Sequence, residues 1–477
     1  MQAGDGRPSY DDLAALVVRQ AAVIEELRAE VAALRAENAE LRRRLDMNSS
    51  NSSKPPSSDS PFVKPDPKSL RGKSGRKPGG QTGHPGSTLA QVATPDEIVR
   101  HEPAACGGCG GGLADAAQIG MERRQVFDLP PITVRVTEHQ LITRRCACGI
   151  TTCAPPPDGV AAPAQYGPRV TAIVLYLYVG QFLSKQRTAQ ALAELFGAPV
   201  SPGTVATMTR RAATGLSGFL GLVRDRIAEA AVAHFDETGF RVEGRLHWVH
   251  SASTGKYSLI VAHGKRGRVA MDAAGVLPSF TGVAVHDAWA PYDCYPVTHA
   301  LCNAHLLREL VAVTETAPVG EGGWCWARQV RDGLLELKTL VSDAVNAGRV
   351  ALDPTLLAAQ VHVIRSAAVI AVAATGRRRS PIEAKHHALA RRILDRQADY
   401  LRFATDFRVP FDNNAAEREI RMVRLREKVS GCMRTLAGAR DFAAIRSYLA
   451  TAAKHHMGFL HVLAELVAGR PWLPITA

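Results

Sequence analysis

The order of apolar runs between residues 231 and 292 constrains the fold of this chain more than any other feature. Three strand-like runs, AVAHFDE, RLHWVHSAS and YSLIVAHG, are joined by connections of hairpin length. The next run, RVAMDAAGVL, has the pattern of a helix, and GVAVHDAWAPY has that of a further strand. The first and last of these strands are predicted to end in acids, at Asp236 and Asp287.

Three strands, a helix and a fourth strand form the opening of a ribonuclease-H-like α/β fold. In such a sheet the strands that end at Phe235 and His286 lie side by side, so their ends can hold the carboxylates of Asp236 and Asp287 over one point. Glu237 follows directly. Because side chains alternate along a strand, we expect it to face the other way, as a neighbour of the loop or of DNA and not as a ligand.

A third carboxylate is expected from the segment 411–429, FDNNAAEREIRMVRLREKV, an amphipathic helix with an asparagine cap. Glu417 is the leading candidate. The alternatives are Asp412, Glu419 and Glu427. Two ordinary interpretations compete: Asn414 and Glu417 have the spacing of a capping pair, and Glu417 and Arg421 that of a surface ion pair. Three carboxylates suit Mg²⁺, and two such ions about 3.5–4 Å apart support phosphodiester chemistry.

The charge of the chain favours a polyanionic partner. Its net charge is +13, and the simplest partner for such a chain is nucleic acid. On the predicted helix, Arg421, Arg424 and Lys428 share one face with Glu417. This face would place a carboxylate on metal and three cations on DNA phosphates.

Residues 1–46 are predicted to form a self-associating coiled coil. Heptad positions a are mostly β-branched and positions d mostly leucine, which favours a parallel dimer. The a residues are Val17, Ile24, Val31, Asn38 and Leu45, and the d residues are Leu13, Gln20, Leu27, Leu34 and Leu41. The alternative is an amphipathic helix packed on its own protein.

Residues 47–92 are rich in Ser, Pro, Gly and basic residues and are predicted to be a disordered linker. Its basic arm includes Arg76 and Lys77. The arm is interpreted as a DNA contact, and a soluble tether is the alternative.

Residues 93–160 are interpreted as a zinc-ribbon-like module. Two cysteine pairs, each followed by glycine, flank the run RQVFDLPPITVRVTEHQLIT, which alternates like one or two strands. Four thiolates, from Cys106, Cys109, Cys146 and Cys148, suit a tetrahedral structural Zn²⁺. The second pair has the short C-x-C spacing, so Cys153 is an alternative fourth ligand. Buried thiols without a metal are the other alternative.

Residues 161–229 are predicted to be helical and to contain a helix-turn-helix-like pair. A first helix would end at Gly197, and Ser201 would cap a second helix that has Pro202 at its first position. Arg210 and Arg211 on the second helix are candidate DNA contacts. A plain helix pair is the alternative.

With 477 residues, the chain is expected to form three or four domains. The predicted catalytic core takes residues 230–304 and 406–450, and a helical insertion (305–405) and a C-terminal helical tail (451–477) complete the layout. No apolar run approaches the ~18–20 residues of a membrane span, and the start of the chain does not read as a signal peptide. The 9 cysteines are an odd number, which favours a reducing cytosol.

Three weaker candidates stay open. His286 beside Asp287 is either a support for that acid or a histidine satisfied in the core. Cys302 and His305 have C-x-x-H spacing on a predicted helix. Helix packing is the preferred interpretation for this pair, and a second metal site is the alternative.

The strings DETGF, HDAWAPYDCY, HALCNAHLLREL and FDNNAAEREIRMVRLREKVSG resemble the motifs of the insertion-sequence-66 transposase family. The string NSSNSSKPPSSD after a coiled coil, and the cysteine pairs before the helical region, are also similar to its layout. The resemblance extends over nearly the whole chain. The C-x-C pair departs from it, which leaves the zinc ligand set open.

The resemblance implies a DDE transposase whose ribonuclease-H-like core is split by a helical insertion. It implies that Asp236, Asp287 and Glu417 are the catalytic acids and that they hold Mg²⁺ or Mn²⁺. The implied reaction cuts the ends of an insertion sequence and joins the 3′-hydroxyls to target DNA. It also implies two small accessory proteins as partners and a cytoplasmic, nucleoid-associated location. The alternatives are a non-catalytic zinc-containing DNA-binding regulator and a nuclease that cuts without joining.

Overall fold

A computed structural model describes residues 10–45, 88–130, 132–316, 324–378 and 380–475. The chain forms two compact units. The smaller comprises residues 69–157 and 191–199, and the larger comprises residues 1–68, 158–190 and 200–477. The basic arm with Arg76 and Lys77 lies outside the described residues.

The larger unit combines one mixed sheet with many helices. The first helices are α1 (Tyr10–Leu45), α2 (Pro168–Leu175), which continues as a π-helical turn (Tyr176–Gly180), α3 (Lys185–Phe196), α4 (Pro202–Thr214) and α5 (Ser217–Ala228). Residues 191–196 of α3 belong to the smaller unit. The sheet strands are β3 (Val232–Val242), β4 (Arg245–Ser253), β5 (Ser258–His263), β6 (Val283–His286) and β7 (Thr298–Leu301). Helix α6 (Arg268–Ala274) and a 3₁₀ turn (Leu277–Ser279) connect β5 to β6, and a second 3₁₀ turn (Ala290–Cys294) connects β6 to β7.

The later helices follow β7 in chain order. They are α7 (Asn303–Thr316), α8 (Trp326–Asn346), α9 (Pro354–Ala374), α10 (Pro381–Asp395), α11 (Gln397–Tyr400), α12 (Arg402–Thr405), α13 (Asn414–Ser430), α14 (Leu436–Lys454) and α15 (Phe459–Val467). The chain is therefore a multidomain α/β protein with a sheet core, as the sequence predicts.

The sheet has the strand order β5-β4-β3-β6-β7. Strands β3, β4 and β5 are antiparallel neighbours, whereas β6 is parallel to β3, and β7 is parallel to β6. A two-residue turn joins β3 to β4, and Glu243 and Gly244 both have positive φ, at 52° and 76°. Two positive φ values at the centre of a hairpin match the twist of the flanking strands. The predicted order of three strands, a helix and a strand is confirmed.

The prediction that the first strand ends at Phe235 is wrong. Strand β3 continues to Val242, and Asp236 pairs with Ser251 of β4 in its middle. What stops near Asp236 is the parallel pairing with β6, whose last matched pair is His234 with Val285. The longer hairpin carries β3 onward after its parallel neighbour has ended, so Asp236 lies beside the end of β6.

Helices cover the sheet and fix its edge. Helix α13 packs against β3 and β4, and α14 packs against β5 and α4. Two hydroxyls of α14 accept hydrogen bonds from the edge strand β5: Ser447 from the Ile260 amide at 2.8 Å and Thr451 from the Ser258 amide at 3.1 Å. These bonds satisfy amides that an exposed edge would leave open to pairing with another chain.

The helices from α7 to α12 share one hydrophobic core with β6 and β7. Within the described residues, α9 is the one helix long and apolar enough to cross a membrane by length and composition, so the prediction that no such run exists is wrong. Ile364, Ala367, Ala368 and Ala371 of α9 are buried in the shared core beside α8 and α10. This face of α9 therefore packs within the protein.

The predicted helix boundaries before the sheet agree with the structure. Gly197 follows the end of α3 with a φ of +61°, and α4 starts at Pro202. The Ser201 side chain accepts the Thr204 amide at 3.0 Å, which caps α4. Helix α1 is continuous, and its described side chains are exposed, including Ile24, Leu27 and Leu34.

The smaller unit contains a two-stranded sheet, β1 (Thr143–Arg145) with β2 (Thr151–Cys153). The strands predicted between residues 124 and 143 are wrong, because in the described part of this run only Thr143 is in a strand. Val126, Leu129 and Val136 are more than four-fifths exposed. Alternation predicts a strand only where one face is buried, and the described residues of this run form no such face.

Candidate active site

Two elements of the sheet present the first two candidate acids. Asp236 lies in β3, and Asp287 follows the last residue of β6. The Asp236 Oδ1 accepts the Glu237 amide at 2.9 Å, and the Asp287 Oδ1 accepts the Trp289 amide at 3.0 Å. Each carboxylate is thus oriented by its own backbone.

The electrostatics of Asp236 indicate that the acids gather around it. Burial raises the pKa of Asp236 well above its usual value, and the charges of Glu237, Asp287 and Glu417 raise it further. Several carboxylates that repel one another in a buried place leave a negative charge that a divalent cation can balance. The residues present therefore fit a hard cation with oxygen ligands.

Glu417 lies in the first turn of α13. Its Oε1 is 3.4 Å from Arg308 Nη2 and 3.8 Å from His305 Nδ1. Cys302, His305 and Glu417 offer potential ligand atoms that all lie within 4.8 Å of one another, and no other such group exists among the described residues. Asp236, Asp287 and Glu417 are spaced more widely than that.

The three alternatives to Glu417 have other partners. Glu419 Oε1 accepts the Ser258 hydroxyl at 2.8 Å and lies 3.1 Å from Lys454 Nζ. Glu427 Oε1 accepts the Arg241 amide at 3.0 Å, and Asp412 Oδ1 accepts the Asn414 amide at 3.1 Å. Each of these three carboxylates therefore already accepts a hydrogen bond within the protein.

Asn413 joins α13 to β3, a role that no pattern in the sequence indicates. It is the residue before α13 and is buried. Its Nδ2 donates to the Phe235 carbonyl oxygen at 2.8 Å, and its Oδ1 lies 2.8 Å from His234 Nδ1. The helix begins at Asn414, so the predicted cap at Asn414 is wrong: Asn413 holds the capping position, and its side chain contacts the sheet.

Glu237 lies against two connecting segments, which agrees with its predicted place beside a loop, and its side chain is only 1% exposed. Its Oε1 accepts from Arg266 Nε at 3.1 Å and Nη2 at 2.8 Å, and its Oε2 accepts the Tyr292 hydroxyl at 2.7 Å. Burial raises the pKa of Glu237, and the charge of Asp287 adds to this effect. Glu237 thereby connects β3 to the segment after Asp287.

Arg266 extends this connection through two tryptophans. Its guanidinium lies 3.9 Å from the ring centroid of Trp289 and 4.7 Å from that of Trp248. Such cation–π contacts hold Trp289, whose amide donates to Asp287. Sequence reasoning missed Arg266 because it lies in the short segment between β5 and α6, far along the chain from both acids.

His286 is a core histidine. Its Nε2 lies 2.9 Å from His299 Nδ1, and its ring stacks on Tyr292 with centroids 4.4 Å apart. Burial lowers the pKa of His286 to about 4, so the ring is neutral at physiological pH. Of its two interpretations, these contacts favour packing beneath Asp287.

The candidate DNA contacts differ in their availability. Arg421 and Lys428 on α13 are exposed, as are Arg210 and Arg211 on α4. Arg424 is partly engaged, since its Nε donates to Thr238 Oγ1 at 3.0 Å and its Nη1 lies 3.4 Å from Glu427 Oε2. Arg424 therefore also ties α13 to β3.

The cysteine pairs of the smaller unit form two tight turns. The Gly110 amide donates to the Cys106 carbonyl oxygen, and the Gly149 amide to that of Cys146, both at 2.9 Å. Backbone amides of Cys109 and Gly108 lower the pKa of the Cys106 thiol, and that of Cys148 lowers the pKa of Cys146. Turns that stabilise thiolates fit zinc ligation. Among the described residues, no three of these thiols come within 4.8 Å of one another.

The chain matches three known families. Residues 163–441 match the transposase IS66 family, residues 103–149 match the zinc-finger binding domain of transposase IS66, and residues 13–90 match a family of unknown function. No curated protein matches the chain. The second match includes both cysteine pairs, ends before Cys153 and supports a structural Zn²⁺. Since the first match covers more than half of the 477 residues, the chain belongs to the IS66 family of transposases.

Proposed function

We propose that the protein is a DDE-type transposase that cuts the ends of an insertion sequence and joins the released 3′-hydroxyls to target DNA. The observation that carries the proposal is the buried carboxylate of Asp236, whose pKa is raised by burial and by the charges of Glu237, Asp287 and Glu417. The family match supports the same class of reaction.

The core is proposed to be ribonuclease-H-like. The strand order, with three antiparallel strands β3, β4 and β5 and two parallel additions on the other side of β3, supports this assignment. The acids then occupy the β3–β6 junction and the facing end of α13.

Asp236, Asp287 and Glu417 are proposed to hold Mg²⁺ or Mn²⁺. Bound there, the two ions would activate the attacking oxygen and stabilise the leaving oxygen of a phosphodiester. The chain's own contribution is to orient these acids: Asn413 ties α13 to β3, and Glu237 ties β3 to the segment after Asp287. In the cleavage step, water attacks a phosphodiester and a 3′-hydroxyl is released. In the joining step, that 3′-hydroxyl attacks a target phosphodiester and a 3′-hydroxyl of the target leaves.

DNA binding is proposed to use exposed cations near this site and on the helical region. These residues are Arg421, Lys428, Arg210 and Arg211. Arg424, which is partly engaged by Thr238 and Glu427, and the basic arm with Arg76 and Lys77 are further proposed contacts. The exposure of Arg421, Lys428, Arg210 and Arg211 supports contacts to phosphates, which carry no sequence information by themselves.

The remaining assignments complete the proposal. Zn²⁺ is proposed to be held by Cys106, Cys109, Cys146 and Cys148, and the extent of the matched zinc-finger region, which contains all four and ends before Cys153, supports this set. The exposed apolar side chains of α1 pair with a second copy of the chain, which fits the heptad pattern. Two small accessory proteins are further proposed partners, and the protein acts in the cytoplasm at the nucleoid.

One experiment tests the function directly. Full-length protein is incubated with DNA carrying the element's own ends, target DNA and Mg²⁺, and both cut and joined products are measured. We expect both products for the wild type and for Asp332→Asn, an exposed acid on α8, and neither for Asp236→Ala. Cutting without joining would identify a nuclease, and end binding without cutting would identify a regulator.

A further inference from the structure

The side chains of Cys302, His305 and Glu417 converge although the sequence separates the first two from the third by more than a hundred residues. Their potential ligand atoms lie within 4.8 Å of one another. Cys302 ends the connection between β7 and α7, His305 lies in the first turn of α7, and Glu417 lies in the first turn of α13. Two helix starts thus meet at one point.

The atoms of this group are already arranged as ligands. Cys302 is buried, and its Sγ accepts a hydrogen bond from the backbone N–H of Asn413 at 3.2 Å. This bond holds the sulfur in position. Nδ1 of His305 is buried and, within the described residues, has no hydrogen-bond partner. Its distance of 3.8 Å to Glu417 Oε1 is too long for a hydrogen bond and wide enough for an ion that contacts both.

The ligand set distinguishes this group from the site of the acids. A thiolate, an imidazole and one carboxylate are ligands that Zn²⁺ accepts in a tetrahedral arrangement with one open position. Mg²⁺ requires oxygen ligands and does not use a thiolate or, as a rule, an imidazole. We propose that Cys302, His305 and Glu417 form a second zinc site, separate from the zinc-finger domain.

Two neighbouring groups must adjust when zinc binds. Arg308 Nη2 lies 3.4 Å from Glu417 Oε1, but the Arg308 side chain is 36% exposed and has room to turn into solvent. The thiol of Cys302 must lose its proton, as cysteine ligands of zinc ordinarily do. Both adjustments involve side chains only.

The site has a consequence for catalysis that rests on the proposed function. Zinc at this position takes Glu417, the third catalytic acid, as a ligand. Zn²⁺ bound to Cys302 would then compete with Mg²⁺ for the carboxylate of Glu417. Free Zn²⁺ would therefore inhibit Mg²⁺-dependent strand cleavage, and this inhibition would depend on Cys302.

The test measures zinc bound per chain for full-length protein dialysed against buffered free Zn²⁺ with Mg²⁺ in excess. The wild type and Cys432→Ser, which removes an exposed thiol, should bind one more zinc ion per chain than Cys302→Ser. Glu417→Gln, which keeps the size of the side chain, should weaken the extra ion at least about tenfold. Circular dichroism shows that each variant is folded, and Glu417→Gln keeps the test decisive if Cys302→Ser does not fold.

Equal zinc content in the wild type, Cys302→Ser and Glu417→Gln would overturn the proposal. The proposal would also be overturned if Cys302→Ser still bound the extra zinc ion and Mg²⁺ displaced that ion. Such an ion would be bound by the carboxylates of Asp236, Asp287 and Glu417 without Cys302. Zinc content needs no activity, so a protein that binds the extra ion through Cys302 but does not cut DNA supports the site and contradicts only the transposase function.

Discussion

The Nδ2 of Asn413 donates a hydrogen bond of 2.8 Å to the carbonyl oxygen of Phe235, the residue before Asp236. Asn413 also directly precedes α13, the helix that carries Glu417. One buried amide therefore sets the position of the third candidate acid relative to the first. This contact connects residues separated by 178 positions in the sequence.

Replacement of Asn413 should reduce strand cleavage. Asn413→Ala leaves the carbonyl oxygen of Phe235 and the Nδ1 of His234 without their hydrogen-bond partner. This loss should lower the free energy of unfolding by about 1–3 kcal/mol. A displacement of Glu417 by about 1 Å lowers the rate on the order of a hundredfold. Asn414→Ala is the matched control, because Asn414 is exposed and should change neither quantity. Equal cleavage by the two variants would contradict the role of Asn413.

Loss of Glu237 should destabilise the protein and loosen the segment after Asp287. Glu237→Ala leaves Arg266 and Tyr292 without their shared acceptor, and the expected cost is about 3 kcal/mol, since Arg266 is 38% exposed and regains water. Urea unfolding measures this cost. Glu229→Ala, which breaks an exposed pair with Arg226, should cost less than about 1 kcal/mol. A small effect at both positions would show that Glu237 does not hold the segment.

The raised pKa of Asp236 predicts a pH dependence of stability without metal. Asp236 binds its proton more tightly when folded, so it contributes stability at low pH and loses it as pH rises from about 4 through the raised pKa. In EDTA, Asp236→Asn should therefore be more stable than the wild type at about pH 8 and similar to it at about pH 4. Urea unfolding at both pH values checks this, with Asp332→Asn as the control. A wild type as stable as Asp236→Asn at the higher pH would contradict it.

Measuring zinc bound per chain should show whether Cys148 or Cys153 is the fourth ligand of the zinc-finger domain. In a Cys302→Ser background, which removes the second proposed site, Cys148→Ser should lose the zinc ion of the smaller unit, because Cys148 lies in the tight turn that begins at Cys146. Cys153→Ser should retain it, since the Cys153 thiol faces the carbonyl oxygens of Leu141 and Ala154. Retention in Cys148→Ser with loss in Cys153→Ser would reverse the assignment of the fourth ligand.

The order of elements could be predicted from the sequence because it depends on local patterns. The alternation in RLHWVHSAS and YSLIVAHG predicted β4 and β5, and Ser201 with Pro202 predicted the start of α4. The run from 124 to 143 failed by the same criterion, since alternation does not show whether a partner surface exists to bury one face.

The sequence by itself determined the order of β3, β4, β5, α6 and β6 and the start of α4, and it named the three candidate acids. Only the tertiary structure decided that Asp236 lies within β3, that Glu237 is held by Arg266 and Tyr292, that Asn413 joins α13 to β3, and that Cys302 and His305 meet Glu417. The physical reason is range. Periodicity and capping act over a few residues, whereas each of these contacts joins distant segments that come together only when the whole core is packed.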